Sequence, residues 1–344
     1  MSANEDDKIV VYHIGGEGDY GPTMRLLEQF PDKVHLVVFE ARSDTTDERA
    51  SETFIKQGIK TTVVLKGIDE KAGVTSFNVN KFPLSSSLLE PSPLTVDEDP
   101  AYPHVHTWGQ NAALHTRITV ETISLDDVVN RKLAPPPDVI SIDAQGAEFR
   151  ILKGAAKCLE TTLCVISEVE FFEIYDGQGL FDDQMFLLSR TGFRLFRIMS
   201  QQNWHPGPSA GEGFLTVGEA VWLRFATKFP ADLNRRGYVP YSALSDQQLV
   251  RLAAIAYSFG ALSYVHSLVA ECERRDPRAS LFKSDASYAR IESVYREMTS
   301  RIEEYKRSPK ALRGMHVKRK RSLLKSLSTR LPGYVRRVIT EGAR

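Results

Sequence analysis

The stretch Val139-Ile-Ser-Ile-Asp-Ala-Gln-Gly-Ala-Glu148 decides the fold. Its apolar, β-branched start is typical of a strand buried on both faces. The strand ends at Asp143, and a turn then brings Glu148 to the start of a predicted helix. Because open α/β sheets bind ligands at the carboxyl ends of their strands, the stretch predicts an α/β protein with an acid at its binding edge. An ion pair at the rim of the sheet is the alternative interpretation of Asp143.

Strand-like and helix-like runs alternate on both sides of this stretch. Upstream they follow the order β-α-β-α-β, which predicts a parallel sheet with right-handed crossovers. The predicted strands are 8–14, 34–39, 60–65, 73–79, 118–123, 139–142, 163–168, 193–198 and 220–225. The predicted helices are 22–30, 47–59, 124–129, 148–159, 182–192, 245–275 and 287–307.

A glycine-rich segment follows the first predicted strand. It contains the pattern Gly16-x-Gly18-x-x-Gly21, and Glu40 stands at the end of the second strand. Glycines let the backbone approach a ligand closely, and a carboxylate at Glu40 accepts hydrogen bonds from a ribose diol. Enzymes that use NAD and enzymes that use S-adenosylmethionine share this arrangement, so the loop does not choose between them. A tight turn without a ligand is the alternative.

Several stretches, in the right order, resemble the FkbM-like methyltransferases, a branch of the class I S-adenosylmethionine-dependent enzymes. The most specific is Ile142-Asp-Ala-Gln-Gly-Ala-Glu-Phe-Arg-Ile-Leu-Lys-Gly-Ala155, and the resemblance covers about residues 8–226. Supporting stretches are Ser85-Ser-Ser-Leu-Leu-Glu-Pro91, Thr122-Ile-Ser-Leu-Asp-Asp-Val128, Glu168-Val-Glu-Phe171, Tyr175-Asp-Gly-Gln-Gly-Leu-Phe181 and Gly192-Phe193. The resemblance implies a Rossmann-like class I methyltransferase fold, with a mostly parallel seven-stranded sheet flanked by helices. It also implies S-adenosyl-L-methionine as cofactor and a sugar, glycan or natural-product hydroxyl as methyl acceptor.

The resemblance also places the cofactor. The family usually has Asp at the end of the first strand and Asn in the glycine loop, where this chain has His13 and Glu17. An acid at the first position generally helps to place the amino-acid end of the cofactor. The predicted cofactor-binding residues are His13, Gly15, Gly16, Glu17, Gly18, Glu40 and Asp143.

Methyl transfer to a hydroxyl needs a base that takes the hydroxyl proton. Asp143 and Glu148 are candidates at the rim of the sheet. His106 is the third, because it lies in the long loop 84–114 and histidine titrates near neutrality. The sequence His104-Val-His106 also invites a metal interpretation, but no further ligands follow at motif spacing, so no metal is predicted. The alternative is that these histidines are exposed to solvent in the loop and have no role in catalysis.

The charge of the chain is unevenly distributed. Lys and Arg balance Asp and Glu at 44 each, yet residues 306–344 hold thirteen basic residues and one acid. Such a basic tail, with leucines at intervals, predicts contact with an anionic membrane surface, while nucleic acid is a less favoured partner. A solvated tail and a tail folded back on the acidic body are alternatives. The acidic, polar start and the three unpaired cysteines predict a cytoplasmic protein. The basic tail predicts that it is peripheral at the inner face of the membrane.

The predicted organisation is a methyltransferase domain over residues 1–228, an α-helical C-terminal extension over 229–305 and a basic tail over 306–344. Two other functions remain open from the residues alone. One is an NAD(P)-dependent oxidoreductase that uses the glycine pattern. The other is a non-catalytic cofactor-binding or scaffold protein built on a methyltransferase fold, which the altered glycine motif and the helical extension suggest.

Overall fold

The computed structural model describes residues 8–15, 19–41, 53–92, 112–204, 214–228, 238–276, 282 and 285–307. The chain divides into two compact units, residues 1–291 and residues 292–344. The first unit contains all of the strands and most of the helices described below. The domain boundaries at 228/229 and 305/306 stay predictions.

The described strands and helices follow the order expected from the sequence. The strands are β1 (Ile9–Gly15), β2 (Val34–Phe39), β3 (Lys60–Val64), β4 (Gly67–Ile68), β5 (Gly73–Asn80), β6 (Leu114–Ile123), β7 (Val139–Asp143), β8 (Cys164–Glu170), β9 (Phe193–Trp204), β10 (Phe214–Arg224), β11 (Ala226–Thr227) and β12 (Val239–Pro240). The longer helices are α1 (Met24–Gln29), α2 (Leu125–Asn130), α3 (Glu148–Lys153), α4 (Cys158–Thr161), α5 (Phe181–Arg190), α6 (Asp246–Ser258), α7 (Leu262–Arg275) and α8 (Ala289–Arg307).

Seven strands form the main sheet in the order β3-β2-β1-β7-β8-β10-β9. Strands β3, β2, β1, β7 and β8 pair in parallel, whereas β10 runs antiparallel to both of its neighbours. This is the predicted class I methyltransferase fold, and its mostly parallel seven-stranded sheet is confirmed. Chain order reverses between β1 and β7, and ligands bind outside the carboxyl ends of strands at such a switch point.

A smaller sheet lies beside the main one. It has the order β4-β6-β5, with β5 antiparallel to β6. Ser124 caps α2 after β6 by accepting a hydrogen bond from the Asp127 backbone N–H at 3.1 Å, as its spacing predicts. The small sheet and the loop that follows β5 reach the carboxyl edge of the main sheet, where the candidate site lies.

Two predicted helices are each divided in the structure. The run 148–159 breaks between α3 and α4 at Gly154, where an added Cβ would lie 2.7 Å from the Asp69 carbonyl oxygen. The run 245–275 breaks between α6 and α7 at Gly260, which has a φ of +79°. A left-handed glycine commonly ends a helix, since it has no Cβ penalty there. The short pair β11–β12 was not predicted at all.

Helices α6 and α7 pack at the amino ends of the parallel strands, away from the candidate site. Arg251 of α6 donates to the Asp138 carboxylate at 3.2 Å, and Asp138 directly precedes β7. The same carboxylate accepts the Val10 backbone N–H at 2.9 Å. Tyr264 of α7 donates its hydroxyl proton to the Arg224 carbonyl oxygen at 2.7 Å. The helical extension therefore supports the sheet from the edge opposite the binding edge.

Replacing Asp138 by Ala is expected to lower the free energy of unfolding by about 3 kcal/mol, because it removes the carboxylate that pairs with a largely buried guanidinium. The side chain of Arg251 is only 19% exposed, and the Val10 N–H loses its acceptor as well. Urea denaturation measures the loss. The control is Asp246→Ala, which removes a half-exposed carboxylate from Arg275 and costs about 1 kcal/mol or less. Equal losses in the two variants would contradict this account.

The second unit contains most of α8. Its turns carry ion pairs four residues apart, Arg296 with Glu292 at 2.6 Å and Arg301 with Glu297 at 2.7 Å. Within the described ranges, no helix is long and apolar enough to cross a membrane. The predicted basic tail lies outside the described residues from residue 308 onward.

Candidate functional site

A cleft opens at the carboxyl ends of β1, β2 and β7. It encloses about 710 Å³, part of which is open to solvent. Three residues that the sequence predicts for cofactor binding line it together, namely Gly15, Glu40 and Asp143. Phe77 of β5 and Leu88 of the following loop line the side provided by the small sheet. The cleft thus lies at the switch point that the sheet order defines.

Gly15 is required where the first strand meets the seventh. It pairs in register with Asp143 and has a φ of +80°. A Cβ added to Gly15 would lie 1.9 Å from the Asp143 carbonyl oxygen, which no side chain tolerates. The absence of a side chain therefore lets the two strand ends lie side by side at the floor of the cleft.

Glu40 directly follows β2. Its backbone N–H donates to the Val64 carbonyl oxygen at 3.0 Å, which fixes the end of the strand. The side chain is only 7% exposed, yet it lines the cleft together with the apolar Ile14 and Ile68. A carboxylate in this setting accepts paired hydrogen bonds from a vicinal diol, and the apolar surfaces beside it suit a flat ring.

Five acidic side chains gather beside the cleft, and we call them the acid cluster. They come from four elements of structure, because Asp143 ends β7, Glu148 begins α3, and the others lie on adjacent strands. In Asp143, Glu148 and Glu168, one carboxylate oxygen from each lies within 4.8 Å of the other two. Glu219 of β10 pairs in register with Glu168 of β8. The remaining member is Glu170, two residues further along β8.

Burial is the main cause of the raised carboxyl pKa values in the acid cluster. It raises the pKa of Asp143 to about 6 and the pKa of Glu148 to about 8. Burial also raises the pKa of Glu219 to about 8, and neighbouring acids add to the effect. Burial and repulsion from the other acids hold the pKa values of Glu168 and Glu170 well above their ordinary range. Such displaced carboxyl pKa values are typical of catalytic and ligand-binding sites.

Gln145 connects the acid cluster to the surrounding loops. Its amide nitrogen donates to Asp143 at 2.7 Å and to Glu168 at 3.0 Å. The amide oxygen accepts the hydroxyl proton of Tyr175 at 2.9 Å, and the backbone carbonyl accepts that of Ser87 at 2.6 Å. Gln145 therefore acts as a positioning residue for two acids.

Sequence reasoning quoted Gln145, Ser87 and Tyr175 within family-like stretches but gave them no role. The left-handed backbone of Gln145, with a φ of +53°, comes from the turn between β7 and α3. The glycine of the Gln-Gly pair at 145–146 was the available signal for a left-handed turn at this point, since left-handed conformations favour glycine.

His13 lies beside the cleft but does not line it. Its ring stacks on Tyr20 with centroids 4.2 Å apart, and its Nδ1 lies 3.4 Å from the Ser141 hydroxyl. Burial lowers the pKa of His13 to about 4, and the Asp19 carboxylate only partly opposes this. The imidazole is therefore neutral at pH 7. Its predicted contact with the cofactor stays a prediction.

Four other predicted residues lie outside the described residues, namely Gly16, Glu17, Gly18 and His106. His104 also lies outside them. His115, which begins the part of β6 next to the long loop, is exposed and does not line the cleft. The histidine candidates for the base therefore stay predictions, whereas the structure places Asp143 in the cleft and Glu148 directly behind it.

Acidification is expected to destabilise the wild-type protein through His13. The folded-state pKa of about 4 lies below the ordinary value of 6.5, so the unfolded chain binds the proton more readily. Stability is then fully present above pH 6.5 and is lost as the pH falls. Between pH 7.5 and pH 5 the loss from this group is about 2 kcal/mol. Urea denaturation of wild type and His13→Gln at both pH values measures it, since the contributions of other groups cancel in the difference. Identical pH dependence in both proteins would contradict the prediction.

Comparison with known proteins agrees with this architecture. The family model described as the methyltransferase FkbM domain matches residues 36–195. The hexuronic acid methyltransferase AglP of Haloferax volcanii is 28% identical over 138 residues, which is 40% of this chain and 48% of the relative. The chain thus matches about half the length of that relative.

Two solved structures are also similar. The FkbM methyltransferase of Methylobacillus flagellatus KT is 13% identical, with a TM-score of 0.36 over 64% of this chain and 45% of that chain. The rRNA methylase of Streptococcus thermophilus is 10% identical, with a TM-score of 0.30 over 64% of this chain and 89% of that chain. The similarity to FkbM methyltransferases does not depend on these two structures. It depends on the family model, on the order of the strands and on the signature that ends β7 and begins α3. On this evidence residues 36–195 are similar to the methyltransferase FkbM domain, and the sheet has the class I methyltransferase fold.

Proposed function

We propose that this protein is an S-adenosylmethionine-dependent O-methyltransferase that acts on a hydroxyl of a sugar, a glycan or a natural product. One observation carries the proposal. The glycine that ends β1, the acid that follows β2 and the acid that ends β7 line a single cleft at the switch point of the sheet. This cleft brings together a carboxylate suited to a ribose diol, a close approach of two strand ends and a cluster of carboxyl groups.

The residues of the cleft fit S-adenosylmethionine. Glu40 would accept hydrogen bonds from the ribose diol, and Ile14 and Ile68 provide apolar surface for the adenine ring. Gly15 lets the ends of β1 and β7 lie side by side at the floor of the cleft, because a side chain there would collide with Asp143. Once bound, the cofactor supplies an activated methyl group, so the protein chiefly binds, aligns and excludes water.

The acid cluster defines the side of the cleft where the acceptor would bind. Asp143 reaches the cleft. Its pKa of about 6 lies close to physiological pH, at which the carboxyl group is mostly ionised. A base is most effective when its pKa lies near the working pH. Asp143 is thus the proposed proton acceptor among the described residues, with Glu148 behind it, while His106 stays a second candidate.

The sheet disfavours the oxidoreductase alternative. That function predicted a second Rossmann half, whereas the structure has the antiparallel β10 between β8 and β9. The scaffold alternative is motivated by His13, whose neutral imidazole stands where the family usually has a carboxylate. A scaffold protein that has lost the cofactor differs from the proposed enzyme in one testable respect, because it does not bind S-adenosylmethionine.

Thermal unfolding with S-adenosylmethionine, S-adenosylhomocysteine and NAD tests the three functions against one another. A ligand that binds only the folded protein raises its melting temperature. Stabilisation by the first two ligands alone supports the proposal, stabilisation by NAD alone supports an oxidoreductase, and no stabilisation supports a scaffold. Transfer of a labelled methyl group to hexuronic acids, neutral sugars and extracted glycans would then identify the acceptor. The hexuronic acids are included because of the similarity to AglP.

For the basic tail we propose contact with an anionic membrane surface, where an acceptor carried on a lipid would be found. Deleting residues 306–344 removes thirteen basic residues, each worth about 1 kcal/mol at such a surface. The full chain is expected to float with phosphatidylserine liposomes in low salt, and the deletion variant to stay at the bottom of the gradient. Equal flotation of the two proteins would refute the contact.

A further inference from the structure

We propose that Asp143, Glu148 and Glu168 bind a hard divalent cation of the Mg²⁺, Mn²⁺ or Ca²⁺ class. The inference rests on the proposed function, since the cation would hold the acceptor oxygen at the edge of the same cleft. It goes beyond that function by assigning these acids a role as ligands.

The geometry of the three carboxylates suits such an ion. One oxygen from each residue lies within 4.8 Å of the others. Two oxygens that bind the same ion lie at most roughly 4 to 5 Å apart, twice the ligand distance of about 2.1 Å for Mg²⁺ or 2.4 Å for Ca²⁺, so a single ion is able to reach all three. Glu148 is fully buried, while Asp143 and Glu168 are partly exposed. The three ligands come from β7, α3 and β8, so the sheet itself holds them in place.

An unpartnered buried oxygen is the second, independent observation. Oε1 of Glu148 accepts the Ala144 backbone N–H at 2.7 Å, but Oε2 has no hydrogen-bond partner among the described residues. Glu148 is 0% exposed, so water does not satisfy this oxygen from the surface. Buried polar atoms are normally hydrogen-bonded, and an exception requires an explanation such as an ion.

The lack of basic side chains paired with the acid cluster, within the described part of the chain, also supports a bound cation. The described residues place no Lys or Arg in an ion pair with any member of the acid cluster. Glu170 is also 0% exposed and has no basic partner among these ion pairs. Buried charges are ordinarily paired or bound to metal. A dication would compensate the negative charge that these acids carry when they ionise together.

The chemistry of the ligands selects the ion. Three carboxylates without a thiol or an imidazole suit hard cations that prefer oxygen. Further positions around the ion would be open toward the cleft, where the acceptor oxygen and water complete the coordination. With the cation bound, Asp143 would act as a ligand and no longer as the proposed proton acceptor, so another base would take the proton of the acceptor hydroxyl.

Titration of Mn²⁺ into the full-length protein, followed by electron paramagnetic resonance, tests the site. We expect one bound Mn²⁺ per chain, displaced by excess Mg²⁺ or Ca²⁺. Glu168→Gln is expected to weaken binding at least about tenfold, since even loss of an outer-shell partner costs that much. Glu219→Gln is the matched control, because this acid belongs to the cluster but not to the ligand set. Equal weakening in both variants would show a diffuse charge effect and overturn the site.

Wild type provides a measurement that does not depend on the folding of a variant. Mn²⁺ is expected to raise the melting temperature of the wild-type chain in the presence of S-adenosylhomocysteine. No bound Mn²⁺ and no stabilisation would overturn the proposal. Cofactor binding without any Mn²⁺ binding removes the metal site and leaves the proposed function intact. Mn²⁺ binding without cofactor binding removes the proposed function and leaves the metal site.

Discussion

Replacing Glu40 by Ala is expected to weaken binding of S-adenosylmethionine by about 100-fold. A carboxylate that accepts two ribose hydroxyls makes hydrogen bonds worth about 1.5 kcal/mol or more each, and 3 kcal/mol corresponds to roughly two orders of magnitude in Kd. The effect is strong because the Glu40 side chain is only 7% exposed and bulk water does not replace it as an acceptor. Isothermal titration with S-adenosylhomocysteine and with S-adenosylmethionine measures the change.

Two further variants separate this effect from a loss of structure. Glu40→Gln keeps the shape and one acceptor oxygen, so its affinity is expected to fall between those of wild type and Glu40→Ala. Glu160→Ala removes an exposed acid of α4 outside the cleft and is expected to bind as wild type does. A Glu40→Ala protein with the wild-type Kd would refute the role of Glu40 at the ribose.

Most of the fold was predictable because its strands are apolar on both faces. Val34–Phe39 appears with its predicted bounds, since every residue in it is buried and all but His35 are apolar. Strand β10 begins at Phe214, six residues before its predicted start, because its first part includes Thr216, Gly218 and Glu219, which interrupt the apolar run that the prediction relied on. The breaks at Gly154 and Gly260 depend on one tertiary contact and one backbone angle, which hydrophobic periodicity does not report.

The part of the candidate site that lines the cleft was predictable where a residue ends or directly follows a strand. Gly15, Glu40 and Asp143 each occupy such a position, and parallel strands bring their carboxyl ends to one edge. Glu219 was not predictable, because it comes to Glu168 through the antiparallel pairing of β10 with β8. Nor was the role of Gln145, whose contacts join two loops that are far apart in sequence.

Replacing Gly15 by Ala is expected to be the most damaging single change at the site. A left-handed backbone costs a residue with a Cβ about 1–2 kcal/mol, and here the Cβ would also lie 1.9 Å from the Asp143 carbonyl oxygen. Backbone atoms do not rotate away as side chains do, so the ends of β1 and β7 must separate. The expected loss is more than about 4 kcal/mol of unfolding free energy, a magnitude typical of strain combined with steric conflict.

Gly260→Ala isolates the contact from the backbone angle. Gly260 has a φ of +79°, nearly that of Gly15, but nothing lies within 4 Å of its added Cβ. Its loss is therefore expected to equal the left-handed penalty alone, about 1–2 kcal/mol. Urea denaturation of the two variants gives the difference, which measures how closely β1 approaches β7 at the floor of the cleft. If both variants lose the same stability, the strand ends are not in contact there, and the placement of Asp143 beside the glycine loop fails with it.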